Sequence, residues 1–225
     1  MVEDFMNLIF PRTCINCNSA LLRSELYLCT SCRIRIPKLD LYGNEEHIMF
    51  NRFKGHLKFT KAFAFMKFHK SGMAQPILHA IKYGNLPELG TLLGQWLGME
   101  MKENNCTDFE LILPVPLYPS RRRKRGYNQS DYICQGISNA TGITWDPSIL
   151  GRSINTRTQT KKERNQRWKN MKDAFFVRKS ESLESKNVLL VDDVVTTGAT
   201  MIACGNQILE HRVSGLSFAC LALAQ

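Results

Sequence analysis

Nothing in this sequence of 225 residues approaches the roughly 20 consecutive apolar residues that cross a bilayer. That argues against an inserted helical protein. The dipeptide Gly-Lys is absent, and with it the Gly-x-x-x-x-Gly-Lys-Ser/Thr loop that P-loop ATPases require. No two histidines form a ligand pair at helical spacing: His47, His56, His69 and His79 lie singly, and none is given a role. Internal repeats and low-complexity tracts are also missing. The opening Met1-Val-Glu-Asp is acidic and its apolar run stops at Pro11, unlike a secretory leader. The expectation is a cytoplasmic protein without membrane insertion.

What is abundant is positive charge. The net charge is +10 and the pI about 9.3, which favours polyanionic partners such as pyrophosphate or nucleic acid. A hydrophobic content of 44% supports a real core. The length fits one ordinary domain plus a small module.

The eight cysteines divide into two groups. Cys106, Cys134, Cys204 and Cys220 are scattered, mostly among apolar neighbours, and read as buried thiols. Cys14-Ile-Asn-Cys17 and Cys29-Thr-Ser-Cys32 are two Cys-x-x-Cys knuckles, enough for one tetrahedral Zn²⁺. Local disulfides or redox thiols are the alternatives. A reducing cytosol and soft sulfur ligands favour zinc over both. Four sulfur ligands leave no open coordination position, so the expected metal is structural.

The most informative stretch is Val188–Thr200, Val-Leu-Leu-Val-Asp-Asp-Val-Val-Thr-Thr-Gly-Ala-Thr. Val188–Val191 reads as a buried strand of a parallel sheet. Asp192 and Asp193 sit where it should emerge, and Met201–His211 reads as the helix that follows. In an open α/β sheet, ligands bind beyond the carboxyl ends of the strands. Backbone N–H groups at a helix start attract anions, and Gly198 lets the backbone come close to a phosphate. Carboxylates accept hydrogen bonds and so suit sugar hydroxyls. The expected ligand loop is Asp192, Asp193, Val194, Val195, Thr196, Thr197, Gly198, Ala199 and Thr200, holding a sugar that carries a phosphate. A phosphoacceptor receiver domain would need more sheet after the acidic pair than the chain supplies. A plain core strand would leave the threonine-rich run without a purpose.

Elsewhere, strands are expected at Phe59–His69, Phe109–Leu113, Ala174–Arg178 and Ser214–Ala224. Helices are expected at Met73–Lys82, Leu89–Met101 and Tyr127–Ala140. Residues 1–36 are expected to form the zinc module, 37–58 a linker and 59–225 the main domain. Arg121–Arg125 is the densest charge run. It follows a strand and precedes a helix, which puts it at the ligand end of the sheet. Arg152–Asp173 is long, basic and polar, a candidate lid.

These pieces combine as Ile81-Lys82-Tyr83-Gly84, Pro114-Val-Pro-Leu, Arg121-x-x-x-Arg125-Gly-Tyr-Asn-Gln129, Arg152-x-x-x-Thr156-x-x-Gln159, Arg167-x-x-Asn170 and Ala174-Phe175. With the knuckles in front, the chain resembles the ComF family nearly from end to end, and Val188–Thr200 resembles the phosphoribosyl-pyrophosphate (PRPP) motif of type I phosphoribosyltransferases. The resemblance implies that fold, an α/β structure with a mostly parallel sheet flanked by helices, behind a small four-cysteine zinc module. It implies that Asp192 and Asp193 hold the ribose hydroxyls and Thr196–Thr200 the 5′-phosphate of PRPP or ribose 5-phosphate. It also implies an association with single-stranded DNA uptake. On the enzyme reading Asp192, Asp193 and Arg125 are catalytic, and Arg121 and Arg125 neutralise pyrophosphate. Lid residues Arg164 and Arg167 close over it, and Mg²⁺ travels with PRPP. On the nucleic-acid reading Arg122, Arg123 and Lys124 meet a single-stranded DNA backbone and Trp168 stacks a base. The zinc module then docks a DNA-uptake helicase.

Overall fold

The computed structural model of the chain describes residues 11–40, 48–153 and 174–224. Its centre is a sheet of four parallel strands, β1 (Ala62–Phe68), β2 (Leu111–Pro114), β5 (Asn187–Val195) and β6 (Gly215–Ala224), in the order β1-β6-β5-β2. The two central strands are buried almost throughout. Their side chains feed apolar clusters on both faces, so neither strand shows the alternation of a half-exposed sheet. On one face lie α3 (Ala74–Tyr83), α4 (Pro87–Glu103) and α6 (Gln129–Thr141); on the other lie α2 (Phe50–Phe53) and α7 (Ala199–Leu209). A short helix α1 (Thr30–Ile34) belongs to the cysteine-rich segment in front. Between β2 and α6 the chain forms a further helix, α5 (Pro119–Arg125). Among the described residues no helix is long and apolar enough to cross a membrane.

The register of β5 decides where the site falls. Its pairing with β2 ends at Pro114↔Val191, whereas its pairing with β6 continues to Val195↔Leu223. Past Val191 one edge of β5 is therefore open, and Asp192 and Asp193 occupy that stretch. The strand is longer than the expected Val188–Val191: the ladder with apolar β6 carries the acidic pair into the sheet.

Three features were not anticipated. Arg121–Arg125 forms the body of a helix, α5, with Pro119 in its first turn and Gly126 ending it at φ 86° in the left-handed region. The segment Ala174–Arg178 does not join the main sheet. Its strand β4 (Phe175–Val177) pairs antiparallel with β3 (Leu150–Arg152), a strand not anticipated. Within residues 37–58 the described parts are built into the domain: Lys38 bridges to Met66 along the outer edge of β1, and Met49 and Phe53 are fully buried.

Helices α4 and α6 cross at backbone contact. Gly90, Gly94 and Gly98 recur every four residues along α4. A Cβ on Gly94 would lie 2.3 Å from the carbonyl oxygen of Ile133, and one on Gly136 would lie 2.1 Å from that of Thr91. Only hydrogen fits at these points. The crossing fixes α6, and hence the start of α6, beside the end of β5.

Candidate functional site

The four knuckle cysteines come together first in sequence and in space. The Sγ atoms of Cys14, Cys17, Cys29 and Cys32 all lie within 4.8 Å of one another, with Cys17 and Cys29 3.7 Å apart. A tetrahedron with metal–sulfur bonds of about 2.3 Å has edges of about 3.8 Å, so the cluster has the dimensions of a metal site. Asn18 takes the left-handed conformation (φ 59°) that closes the first knuckle. The side chain of Asn16 donates to Cys32 Sγ at 3.3 Å. The backbone N–H of Cys29 donates to Cys14 Sγ, and that of Cys32 to Cys29 Sγ, each at 3.4 Å. Donors converging on sulfur stabilise thiolates, the form that binds metal. Leu28 and Ile36 carry the module into the same apolar cluster as α3 and α4.

The second site is assembled from three distant segments. Asp193 is 4% exposed, and its Oδ2 lies 2.9 Å from Nζ of Lys82, on the last turn of α3. Asp192 Oδ1 accepts from Ser130 Oγ at 3.2 Å, at the start of α6, and from the Asp193 backbone N–H at 2.9 Å. Burial, reinforced by the neighbouring charge of Asp193, pushes the Asp192 carboxyl up to about 7. The two carboxylates are therefore inequivalent. Asp193 has a direct counterion; Asp192 has a hydroxyl donor and no cation within ion-pair distance among the described residues.

Next to this pair opens a cavity of about 580 Å³ lined by Lys82, Tyr83, Asn85, Arg121, Lys124, Arg125 and Tyr127. The helical form of α5 sorts its charges. Arg121, Lys124 and Arg125, at spacings of three and four, share the cavity face. Arg122 does not line it and instead approaches Asp131 of α6 at 4.0 Å; Arg123 is also outside the lining. Lys124, expected to meet nucleic acid with Arg122 and Arg123, belongs with Arg121 and Arg125. Arg125 is held by Gln129 and lies 5.3 Å over the ring of Tyr83. Tyr127 is not free to stack a base: its hydroxyl donates to the carbonyl of Ile81 at 2.5 Å and its ring packs on Tyr132.

The loop after β5 turns at Gly198, φ 80°, which precedes the first turn of α7. A Cβ there would meet Phe53 at 3.0 Å, so an aromatic of α2 backs the turn. Thr196 and Thr197 are exposed. Arg152, in the quoted motif but given no role, lies with its guanidinium 3.5 Å over Tyr118 and 4.7 Å from Phe175. Arg164, Arg167 and Trp168 fall outside the described residues.

Sequence reasoning missed Lys82, Ser130 and Tyr83. Lys82 ends an amphipathic helix, where a lysine ordinarily complements the helix dipole, so its type and place gave no separate signal. Ser130 is 1% exposed near a helix start, and only the fold brings it to Asp192.

The phosphoribosyl transferase domain model matches residues 142–225, the part that contains β5, the glycine turn, α7 and β6. The chain is 31% identical over 150 residues to the DNA utilization protein YhgH of Escherichia coli (strain K12), covering 65% of each. It is 29% identical over 202 residues to Competence protein F of Haemophilus influenzae, covering 85% of this chain and 88% of that protein. To Competence protein ComFC of Bacillus subtilis it is 30% identical over 100 residues, covering 44% of this chain and 38% of that one. The chain thus spans 65% of the length of the YhgH proteins that it matches. With a parallel sheet flanked by helices, the acidic pair and glycine turn at the end of β5, and the four-cysteine cluster in front, the chain has the type I phosphoribosyltransferase fold and belongs to the ComF family.

Proposed function

We propose that this chain binds PRPP, or a related phosphosugar such as ribose 5-phosphate, at the open end of β5. The observation that carries this reading is the convergence of four cations, Lys82, Arg121, Lys124 and Arg125, on one cavity beside the buried carboxylate of Asp193. A sugar lying across the end of β5 gives its two ring hydroxyls to Asp192 and Asp193. Its 5′-phosphate lies in the turn Thr196–Thr200, against backbone N–H groups at the start of α7 and the threonine hydroxyls. Its pyrophosphate enters the cavity, where Arg121 and Arg125 neutralise it. Mg²⁺, when bound, supplies further neutralisation of that anion. None of the described residues lining the cavity is a carboxylate, so the donor set suits an ion carried mostly on the ligand's own oxygens.

The same arrangement supports transfer of ribose 5-phosphate from PRPP to a nitrogenous acceptor. Arg125 would stabilise charge developing on the departing pyrophosphate, and the acidic pair would hold the ribose. The knuckle cluster is read as a structural Zn²⁺ site, because four thiolates complete the tetrahedron.

A second reading, single-stranded DNA binding, is favoured by a separate observation. The Arg122 side chain is 63% exposed, it and Arg123 lie outside the cavity lining, and Tyr83 at the rim is 70% exposed. A phosphate backbone along α5 would place bases within reach of an aromatic face. The names of the relatives, a DNA utilization protein and competence proteins, agree with it. Exposed Leu22 and Leu26 on the knuckle module would be the docking residues for a DNA-uptake helicase, a partner of the cytosol.

Calorimetry tests the first reading. Asp193→Asn keeps the shape and removes the charge. Hydrogen bonds to charged groups contribute about 1.5–3 kcal/mol, so PRPP affinity is expected to fall roughly ten- to hundredfold. Equal affinity in both proteins refutes the assignment. Pyrophosphate release across a panel of bases and amines then separates a transferase from a binding protein.

A further inference from the structure

We propose that Lys82 makes the site selective for a sugar that still carries pyrophosphate over the same sugar 5-phosphate without it. The inference rests on the phosphosugar reading above and assigns to Lys82 a role that the acidic pair and α5 cannot perform alone. An ammonium has three N–H donors. Nζ of Lys82 forms an ion pair with Asp193 Oδ2 at 2.9 Å that is not aligned as a hydrogen bond. Its N–H groups belong to a side chain that lines the cavity together with Arg121, Lys124 and Arg125. None of the described lining residues is a carboxylate, so among them no fixed anion competes with an anionic ligand for these donors.

Two simpler roles make different demands. A counterion serving only to offset the charge of Asp193 would be sealed away with it. Yet the Lys82 side chain is 24% exposed against 6% for Asp193, and its open part faces the cavity. A lock that must leave before sugar enters would have to abandon a buried carboxylate, which is costly. Sharing avoids both difficulties. Lys82 stays beside Asp193 as its counterion and directs its N–H groups to pyrophosphate. A ligand lacking pyrophosphate collects only the first benefit. Helix α3 fixes the geometry, since Tyr127 ties its last turn through the Ile81 carbonyl at 2.5 Å.

The test is calorimetry of wild type and Lys82→Met with three probes: PRPP, inorganic pyrophosphate and ribose 5-phosphate. The expected result is a loss of roughly ten- to hundredfold for PRPP and pyrophosphate, the scale of a charge-assisted hydrogen bond. Ribose 5-phosphate should change less than about threefold, on the scale of a weak exposed pair. Lys82→Arg should recover part of the loss. An equal loss for all three probes would make Lys82 a counterion only, and a gain for ribose 5-phosphate would make it a lock; either overturns the proposal. If Lys82→Met leaves Asp193 buried without a partner and the protein fails to fold, Asp193→Asn and the double variant Asp193→Asn/Lys82→Met are compared instead. Pyrophosphate affinity must still drop between those two. Wild-type protein that binds none of the three probes removes the phosphosugar reading itself, and this inference with it. Wild-type binding with an unselective Lys82→Met effect removes this inference alone.

Discussion

The knuckle cluster and the acidic-pair site differ in how they are made. The first draws all four ligands from one segment, Cys14 to Cys32, and its geometry comes from two local turns. The second draws Lys82, Ser130, Arg125 and Asp193 from α3, α6, α5 and β5, and exists only when the sheet and the α4–α6 crossing are in place. A local site is a property of spacing. An assembled site is a property of topology, and each of its contacts depends on packing elsewhere.

The largest expected effect is on the local side. Cys14→Ser should abolish metal binding, measured as metal per chain in reduced, desalted protein. Metal binding of this kind supplies folding energy on the order of 10 kcal/mol in isolated zinc modules. Residues 11–36 are then expected to become protease-sensitive while the far-ultraviolet signal of the sheet persists. Global unfolding would break the comparison, showing that Leu28 and Ile36 make module and domain one cooperative unit.

Next is the crossing on which the assembled site depends. Gly136→Ala places a methyl 2.1 Å from the Thr91 oxygen and 2.6 Å from the Gln95 nitrogen, both backbone atoms. Overpacking costs about 1–3 kcal/mol, and for a chain of this size each kcal/mol lowers Tm by about 2–4 °C. Thermal melts should show that loss, with a fall in PRPP affinity because α6 carries Ser130. Metal content should be unchanged. A variant as stable as the wild type would mean that the helices separate at no cost.

A third experiment sharpens the electrostatics. The folded Asp192 carboxyl sits near 7, above its unfolded value near 4, so the native state holds an extra proton between those limits. That contribution to stability is present below about pH 4 and lost as pH rises through 7. Asp192→Asn should therefore melt higher than wild type at pH 8, with the gap closing toward pH 4. PRPP affinity of wild type should rise from pH 6 to pH 8, because ribose hydroxyls donate to the ionised form. Melting curves of the two proteins with the same pH dependence would refute the assignment.

The smallest effect separates α5's two faces. Arg122→Ala with Arg123→Ala should shallow the log–log salt dependence of single-stranded DNA binding by about 0.7 per lost phosphate contact. Pyrophosphate affinity should stay the same. A change in pyrophosphate affinity, with none in salt slope, would assign both arginines to the cavity.

What the sequence revealed follows the same division. Val188–Val191, the threonine-rich turn and the knuckles were legible because their signals are contiguous. The extension of β5 to Val195 was not, since two aspartates normally end a strand and here the apolar ladder of β6 overrides them. Helix α5 was hidden by its charge: four arginines and a lysine have no apolar stripe, and only Pro119 and Gly126 mark its ends. Lys82 was quoted within a motif and given no task, because its partner lies 111 positions further along the chain. The spacing of Gly90, Gly94 and Gly98 was visible and went unused, although it marks a close approach of backbones. Arg164, Arg167 and Trp168 lie outside the described residues.

The strand order also sets a folding problem. Strand β6 lies between β1 and β5, so the middle of the sheet is filled by one of its most distant segments. Pairing Ala62 with Phe218 closes a loop of about 150 residues, at an entropic cost of about 4 kcal/mol beyond the fixed term. Until that happens, β1 (Ala-Phe-Ala-Phe-Met-Lys-Phe) and β5 each present an unpaired edge, the kind of surface that associates with other chains. Folding should be slow for the domain's size, and refolding yield should fall as protein concentration rises.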